Sequence, residues 1–414
     1  MAMDDSLRGR RSTMGQTQMV EPLEGRVLLS SAVLDQNFAI SSVGALADPQ
    51  VLGAQADGKI LVAGETSKSE IGVLRYIANG AIDRKFGSKG MAVVPGLSTM
   101  EGNGVLVVEV QSDGKIILGG TVYEPGGERF RLVRLLADGR MDQDFGSQGI
   151  VRLPVNSEGW SNMAIGLQGK RIVVGATYKG DFAVMSYTEW GQPYKKFGKR
   201  GVSSVDFGGD DGLFTMAVDR EGKIIVGGVT DIGGRWDFAL ARLTANGWLD
   251  PKFDKDGKVK ANLGSNELIG RIAVQKDGRI VVAGAKETTP GSEQYSGVLV
   301  RYSAGGKMDS TFGNKGIAPM EGLGEEGGMV FEKSGGVIAT MLQGRRLQVA
   351  RFTEDGQADK AFGSGGRQVL SLGKVTWEDL VETVVQGDDG QVLVMLSRDT
   401  AQGVQFRLVR YRIA

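Results

Sequence analysis

Apolar residues in this chain come in short runs separated by polar turns, and one such pattern recurs along most of its length. In residues 273–284, Ala-Val and Ile-Val-Val-Ala-Gly flank Gln-Lys-Asp-Gly-Arg. An Asp-Gly pair between two apolar runs is the signal of a tight β-hairpin. The pattern returns at 54–64, 108–119, 164–176, 217–228, 331–341 and 384–395. Its turn glycines are Gly58, Gly114, Gly169, Gly222, Gly278, Gly335 and Gly390. They follow one another at intervals of roughly 55 residues, a period at which stacked repeats build one large domain.

Each unit adds further short strands to the hairpin. In one copy the apolar stretches are 259–263, 268–275, 279–284 and 297–302, followed by the closing signature Met308-Asp309-Ser310-Thr311-Phe312-Gly313. That signature recurs as Leu34-Asp35-Gln36-Asn37-Phe38, Ile82-Asp83-Arg84-Lys85-Phe86, Met141-Asp142-Gln143-Asp144-Phe145 and Leu249-Asp250-Pro251-Lys252-Phe253, and more weakly at 193–197 and 358–362. Third strands such as Ile60-Leu61-Val62 and Ile280-Val281-Val282 are apolar at consecutive positions, so both faces are expected to be buried. Four strands in each of seven units predict an all-β chain, a seven-bladed β-propeller of four-stranded antiparallel blades. Its ring would be closed by the N- and C-terminal segments. In this reading the stretches 92–94, 151–153, 204–206, 259–261, 317–319 and 368–370 are the innermost strands, and Asp206 is the one acid they carry.

The unit resembles the delta-60 repeat family of bacterial proteins. The residues that carry the resemblance are the Ala-Val-x-x-Asp-Gly hairpin, the strand Asp237-Phe238-Ala239-Leu240-Ala241-Arg242 and the Leu-Asp-x-x-Phe-Gly closure. It covers residues 34–414 and implies a propeller-like, often exported bacterial protein with no catalytic residues to carry over. Residues 1–33 lie outside the repeat and are expected to be disordered. Within them Val20-Glu21-Pro22-Leu23-Glu24-Gly25-Arg26-Val27-Leu28-Leu29-Ser30 is similar to the L-E-P-R-x-L-L-S segment of many bacterial secreted and surface proteins, with Leu23-Glu24 followed by Gly25-Arg26 in place of Pro-Arg. The two resemblances together imply an exported, extracellular or cell-surface location.

Composition narrows the chemistry. Lys plus Arg and Asp plus Glu each total 49, so there is no basic field for nucleic acid or an anionic membrane. No apolar run is long enough to span a bilayer as a helix. There is no Cys and no His, which removes disulfides, thiolate chemistry, Cys/His zinc sites and any His-based triad. Asp254-Lys255-Asp256-Gly257, Asp210-Asp211 and Asp388-Asp389 are fragments of calcium-type turns that lack a full ligand set, and Asp and Gly in turns explain them as well. Neither a metal nor a cofactor is expected.

Arg75, Arg134, Arg242, Arg301 and Arg351 each precede the aspartate of the next closure, Asp83, Asp142, Asp250, Asp309 and Asp359, by the same eight residues. The third unit has Ser186 and Tyr194 at these places, so both partners are absent together. The pattern reads as a ring of structural ion pairs. Arg410 has no aspartate after it and Asp35 no arginine before it, so a closed ring would bring these two together.

Variation in length and sequence is confined to the connections on one face of such a propeller: 121–128, 157–162, 230–236, 285–296, 374–379 and 397–403. Trp160, Trp236, Trp377, Tyr123 and Tyr295 fall there, and no catalytic residue is singled out. Aromatics on variable loops over a rigid scaffold suit a glycan or protein ligand. The expected function is therefore a non-catalytic binding scaffold. The alternative is a carboxylate-dependent glycosidase or lyase, and the shortage of acids on the innermost strands speaks against it.

Overall fold

The computed structural model describes residues 32–43, 46–97, 106–125, 127–156, 162–320, 329–332, 334–343, 346–370, 381–386, 391–398 and 405–413. Among them every regular element is a β-strand, and the strands form seven four-stranded antiparallel sheets. The Asp-Gly hairpins join the first two strands of their blades. Gly58, Gly114, Gly222 and Gly278 all turn with φ near +80°, a conformation that costs a side-chain-bearing residue energy.

Two expectations from the sequence are corrected. First, the chain does not contain seven units of four consecutive strands. Six blades are built that way, over 48–94, 106–156, 163–205, 210–261, 267–320 and 329–370. The remaining sheet is composite, with Ala32–Val43 hydrogen-bonded to Gln405–Ile413, then Gln391–Arg398, then Val381–Gln386. Its fourth place is taken by Ala32–Val43 and not by a strand of the last repeat.

Second, the innermost strands are not those that follow each closure. The fifth blade runs in the order Glu267–Val274, Ile280–Glu287, Tyr295–Tyr302, Ile317–Met320. First strands of neighbouring blades lie beside each other, so they line the axis. The short strands Met91–Val94, Val202–Val205, Lys258–Ala261 and Ile317–Met320 are fourth and outermost. Each has one exposed residue flanked by buried ones. The physical reason is the closure itself: it is a tight turn that returns the chain antiparallel to the third strand it has just left. Asp206, just beyond the fourth strand of its blade, is therefore not a lining residue of an inner strand.

Burial shows how the ring holds together. Each of the seven apolar clusters lies between two adjacent sheets. Leu61, Val73 and Phe86 of the first blade pack with Val108 and Leu118 of the second, and Ile225 and Phe238 of the fourth with Ile269 and Val282 of the fifth. The ring closes where Phe38, Leu393, Phe406 and Leu408 of the composite sheet pack with Leu52, Ile60 and Val62 of the first blade. Burial of this kind contributes roughly 25 cal/mol per Å² of apolar surface, so the core is distributed around the ring. Among the described residues no helix is long and apolar enough to cross a membrane.

Candidate functional site

The two faces of the ring do different things. One carries the Asp-Gly turns and the closures. There, Arg75 Nε donates to Asp83 Oδ2 at 2.9 Å, its Nη1 donates to the Ala137 carbonyl of the next blade, and its guanidinium lies 4.3 Å from the Phe86 ring centroid. Arg134 repeats the arrangement with Asp142 at 2.8 Å, the Glu189 carbonyl and Phe145. Arg242 does so with Asp250 at 2.9 Å, Ala304 and Phe253. Arg301 uses Asp309 at 2.8 Å, Glu354 and Phe312. One arginine thus holds its own closure by charge, its own phenylalanine through the ring face, and the neighbouring blade by a backbone carbonyl.

The glycine of the neighbour's turn completes the joint. A Cβ on Gly139 would come within 2.9 Å of the Phe86 ring, so only glycine lets the turn sit on that ring. The Gly87 amide then donates to Asp138 O of the same turn at 2.7 Å. In the sixth blade Arg351 bonds Glu332 at 3.0 Å and reaches Asp359 only at 3.5 Å. In the third blade, where Ser186 and Tyr194 replace the pair, Arg171 lies 4.6 Å over the Tyr194 ring. Nothing in the sequence pattern pointed to Arg171; it sits on the second strand of its blade, outside the repeating Arg/Asp spacing.

The opposite face carries the variable loops. Tyr123 is 63% exposed on the second-to-third hairpin of the second blade. Trp236 opens the third strand of the fourth blade, half-buried, its amide bonded to Asn266 Oδ1 at 3.1 Å. Tyr295 holds the corresponding place in the fifth blade, also half-buried. Trp160 and Trp377 lie outside the described residues, as do Asp388-Asp389 and residues 1–31, with the segment 20–30. Two tryptophans that the loop argument passed over, Trp190 and Trp248, are 57% and 59% exposed on the closure face.

With the inner strands reassigned, buried acids appear at the mouth of the axis on the variable-loop face. Asp211 and Glu267 hold equivalent positions in the fourth and fifth blades, each near the start of a first strand. Asp211 Oδ2 accepts from the Phe207 amide at 2.7 Å. Glu267 Oε1 accepts from the Leu263 amide at 2.8 Å and the Ser265 amide at 3.2 Å. Both carboxyls therefore tie down the loop that enters their strand. Burial pushes Glu267 up to about 7, against the pull of those two amides. Burial likewise raises Asp211, opposed by the Thr230 hydroxyl and the Phe207 amide and assisted by the Asp181 and Asp206 carboxylates.

Asp181, Asp206 and Asp211 place one carboxylate oxygen each within 4.8 Å of the others. By contrast, the Asp254-Lys255-Asp256-Gly257 turn on the other face is accounted for locally. Asp256 accepts from the Lys258 amide at 3.0 Å, and Asp254 pairs with Lys307 at 3.0 Å.

Comparison with known proteins agrees with the architecture. Residues 55–86, 111–145, 222–253 and 275–312 match a family described as a domain of unknown function (DUF5122) β-propeller, which makes the chain similar to a β-propeller repeat family. The delta-60 designation and the similarity of residues 20–30 to the export-associated segment have no counterpart in this match. No curated protein matches the chain in sequence. Among solved structures it is similar to the polysaccharide lyase Uly1, with a TM-score of 0.51, 12% identity, and 92% of this chain and 91% of that one covered. An ulvan lyase of polysaccharide lyase family PL25 superposes with a TM-score of 0.49 at 12% identity, over 90% of this chain and 95% of that one. Prolyl oligopeptidase B from Galerina marginata does so at 0.48 and 11%, over 90% of this chain and 49% of that one. At such identities the likeness extends to the fold.

Proposed function

We propose that the protein is a non-catalytic binding scaffold, exported or at the cell surface, that takes a glycan or protein ligand on its variable-loop face. One observation carries this reading. The repeated residues, Arg, Asp, Phe and the turn Gly, are used up in joining blade to blade on the closure face. What differs from blade to blade is gathered on the other face, with Tyr123, Trp236 and Tyr295 among it. The resemblance of residues 20–30 to an export-associated segment supports the location.

The test is a glycan array run alongside a pull-down with the full chain. Tyr123→Ala and Trp236→Ala should each weaken retention at least tenfold with little change in melting temperature. Trp190→Ala and Trp248→Ala, on the other face, should leave it unchanged. Loss of binding only in the second pair would move the site to the closure face and defeat the reading.

A second reading, a carboxylate-dependent glycosidase or lyase, gains one observation. Glu267, with a pKa near 7, has the proton affinity of a general acid or base, and Asp211 lies at the equivalent place in the adjacent blade. Against it, both carboxyls are fully buried and already hold loop amides. Fold neighbours that cleave polysaccharides give the substrate class to assay. Turnover of an acidic polysaccharide that Glu267→Gln abolishes would establish this reading.

A further inference from the structure

We propose that Asp181, Asp206 and Asp211 form a binding site for a divalent cation of the calcium type at the junction of the third and fourth blades. The three come from separate elements. Asp181 opens the third strand of one blade, Asp206 follows that blade's fourth strand, and Asp211 lies in the first strand of the next. Their oxygens fall within 4.8 Å of one another. Oxygens that share a cation at 2.3–2.6 Å stand at most about 5 Å apart, so the spacing fits one hard ion.

The spacing is held by the backbone. The Asp211 amide donates to Gly180 O at 2.7 Å, which ties the turn before Asp181 to the inner strand. Asp206 Oδ1 accepts from the Gly208 amide at 2.5 Å, and Asp181 Oδ2 from the Ser204 hydroxyl at 3.0 Å. Phe182 and Phe207 pack edge to face, 5.2 Å apart, directly beside these loops.

The second observation is an orphaned oxygen. Asp211 is 2% exposed, and its buried Oδ1 makes no well-aligned hydrogen bond; the hydroxyl that faces this carboxyl, Thr230 Oγ1, is buried and makes none either. A buried carboxylate oxygen left without a donor or cation is costly. Elsewhere in the ring, buried aspartates face arginine, as Asp142 faces Arg134 and Asp35 faces Arg410. Among the described residues, none of these three carboxylates has an ion pair with a basic side chain. Lys258, beside the loop, gives its Nζ instead to the Asp206 carbonyl at 2.9 Å and stands over Phe207. Glu267, at the place equivalent to Asp211 in the next blade, also has an orphaned oxygen, Oε2, but it is not part of such a triplet. Three carboxylates in one small volume repel one another, which a bound cation relieves, and calcium's loose geometry accepts ligands from three separate elements where magnesium's strict octahedron does not.

The inference does not rest on the proposed function, because its test uses the metal alone. Calcium chloride is titrated calorimetrically into the full chain after treatment with chelator. One site is expected, with a Kd of about 10⁻⁴ to 10⁻³ M, and a melting temperature that rises with calcium. Asp206→Asn keeps the acceptor for the Gly208 amide and should melt like the wild type in chelator, yet bind calcium at least tenfold more weakly. Asp256→Asn, in the D-x-D-G turn on the other face, should bind as the wild type does. No heat and no thermal shift up to about 10 mM calcium would overturn the proposal. So would calcium binding that Asp206→Asn leaves intact, or that Asp256→Asn removes.

Discussion

Arg410 and Asp35 stand 375 residues apart in the chain, and their side chains meet at 2.7 Å. The same guanidinium lies 4.3 Å over Phe38 and donates to Ala78 O of the first blade at 2.8 Å. This is the joint that Arg75, Arg134, Arg242 and Arg301 make within their own repeats, here built from the two ends. Asp35 has a further partner in Arg412 at 3.1 Å.

Removing one member of a buried pair leaves the other uncompensated, at a cost of about 3–5 kcal/mol. Asp35→Ala is therefore expected to lower unfolding stability by that order in urea. Asp359→Ala should cost clearly less, because Arg351 keeps Glu332 at 3.0 Å. Equal losses would show that the closing joint is no stronger than the slackest one. Deleting residues 1–43 removes the outer strand of the composite sheet and should destabilise the whole ring.

In the third blade, Arg171 stacked on Tyr194 replaces the ion pair. A cation over an aromatic face contributes about 0.5–2 kcal/mol. Arg171→Ala should thus be milder than Arg134→Ala, which leaves the buried Asp142 to Lys115 alone. Ser186→Arg alone buries an unpaired charge and should destabilise. Adding Tyr194→Asp should recover part of that loss, and a double-mutant cycle with no coupling between the two would contradict the account.

Glu267 gives the ring a pH response near neutrality. Its folded pKa, about 7, lies above the ordinary 4.5, so the folded state holds a proton that the unfolded chain releases. The sign follows. Its contribution is full below about pH 4.5 and is lost as pH rises through 7. Melting temperature should fall between pH 5 and pH 8, and Glu267→Gln, which mimics the protonated acid, should flatten that slope. A slope unchanged by the substitution would assign the response to another group.

The closure aspartates act in the opposite direction. Burial raises Asp142, but the Lys115 hydrogen bond and the Arg134 and Lys115 charges outweigh it, leaving the carboxyl below its usual value. Asp309 is also lowered: burial raises it, and Thr311 and Arg301 outweigh that. A depressed folded pKa gives stability that is present above the unfolded value near 4 and disappears as pH falls through the folded one. Unfolding in acid should therefore steepen below about pH 4, and Asp142→Asn should shallow it in circular dichroism titrations.

What the sequence revealed follows the physics of local contacts. The Asp-Gly hairpins, the buried third strands and the eight-residue Arg-to-Asp spacing are set by residues near one another in the chain, so repetition exposed them. Which strand lies innermost depends on how blades pack side by side, and no local signal separates Met91–Val94 as an outer strand from an inner one. The same limit hid the acids. Asp206 was visible as an acid of an expected inner strand and Asp211 as a turn residue, and Asp181 not at all. Their convergence depends on a third strand, a blade-to-blade loop and a first strand that meet only in the folded ring. Arg171 was hidden because its partner, Tyr194, looks like a lost aspartate until the stacking is seen.

The outer strand of the composite sheet, Ala32–Val43, has a kinetic consequence. Of the described strands it is made before the others, and it pairs with the last of them, Gln405–Ile413. Until that segment exists, the first strand has no partner, and the growing chain carries two unsatisfied edges. Contacts that span nearly the whole chain form late, because loop closure precedes any gain from them. The ring is thus a device that locks only on completion. A chain halted before Gln405 would hold well-formed blades yet remain open, prone to pair its free edge with that of another unfinished copy.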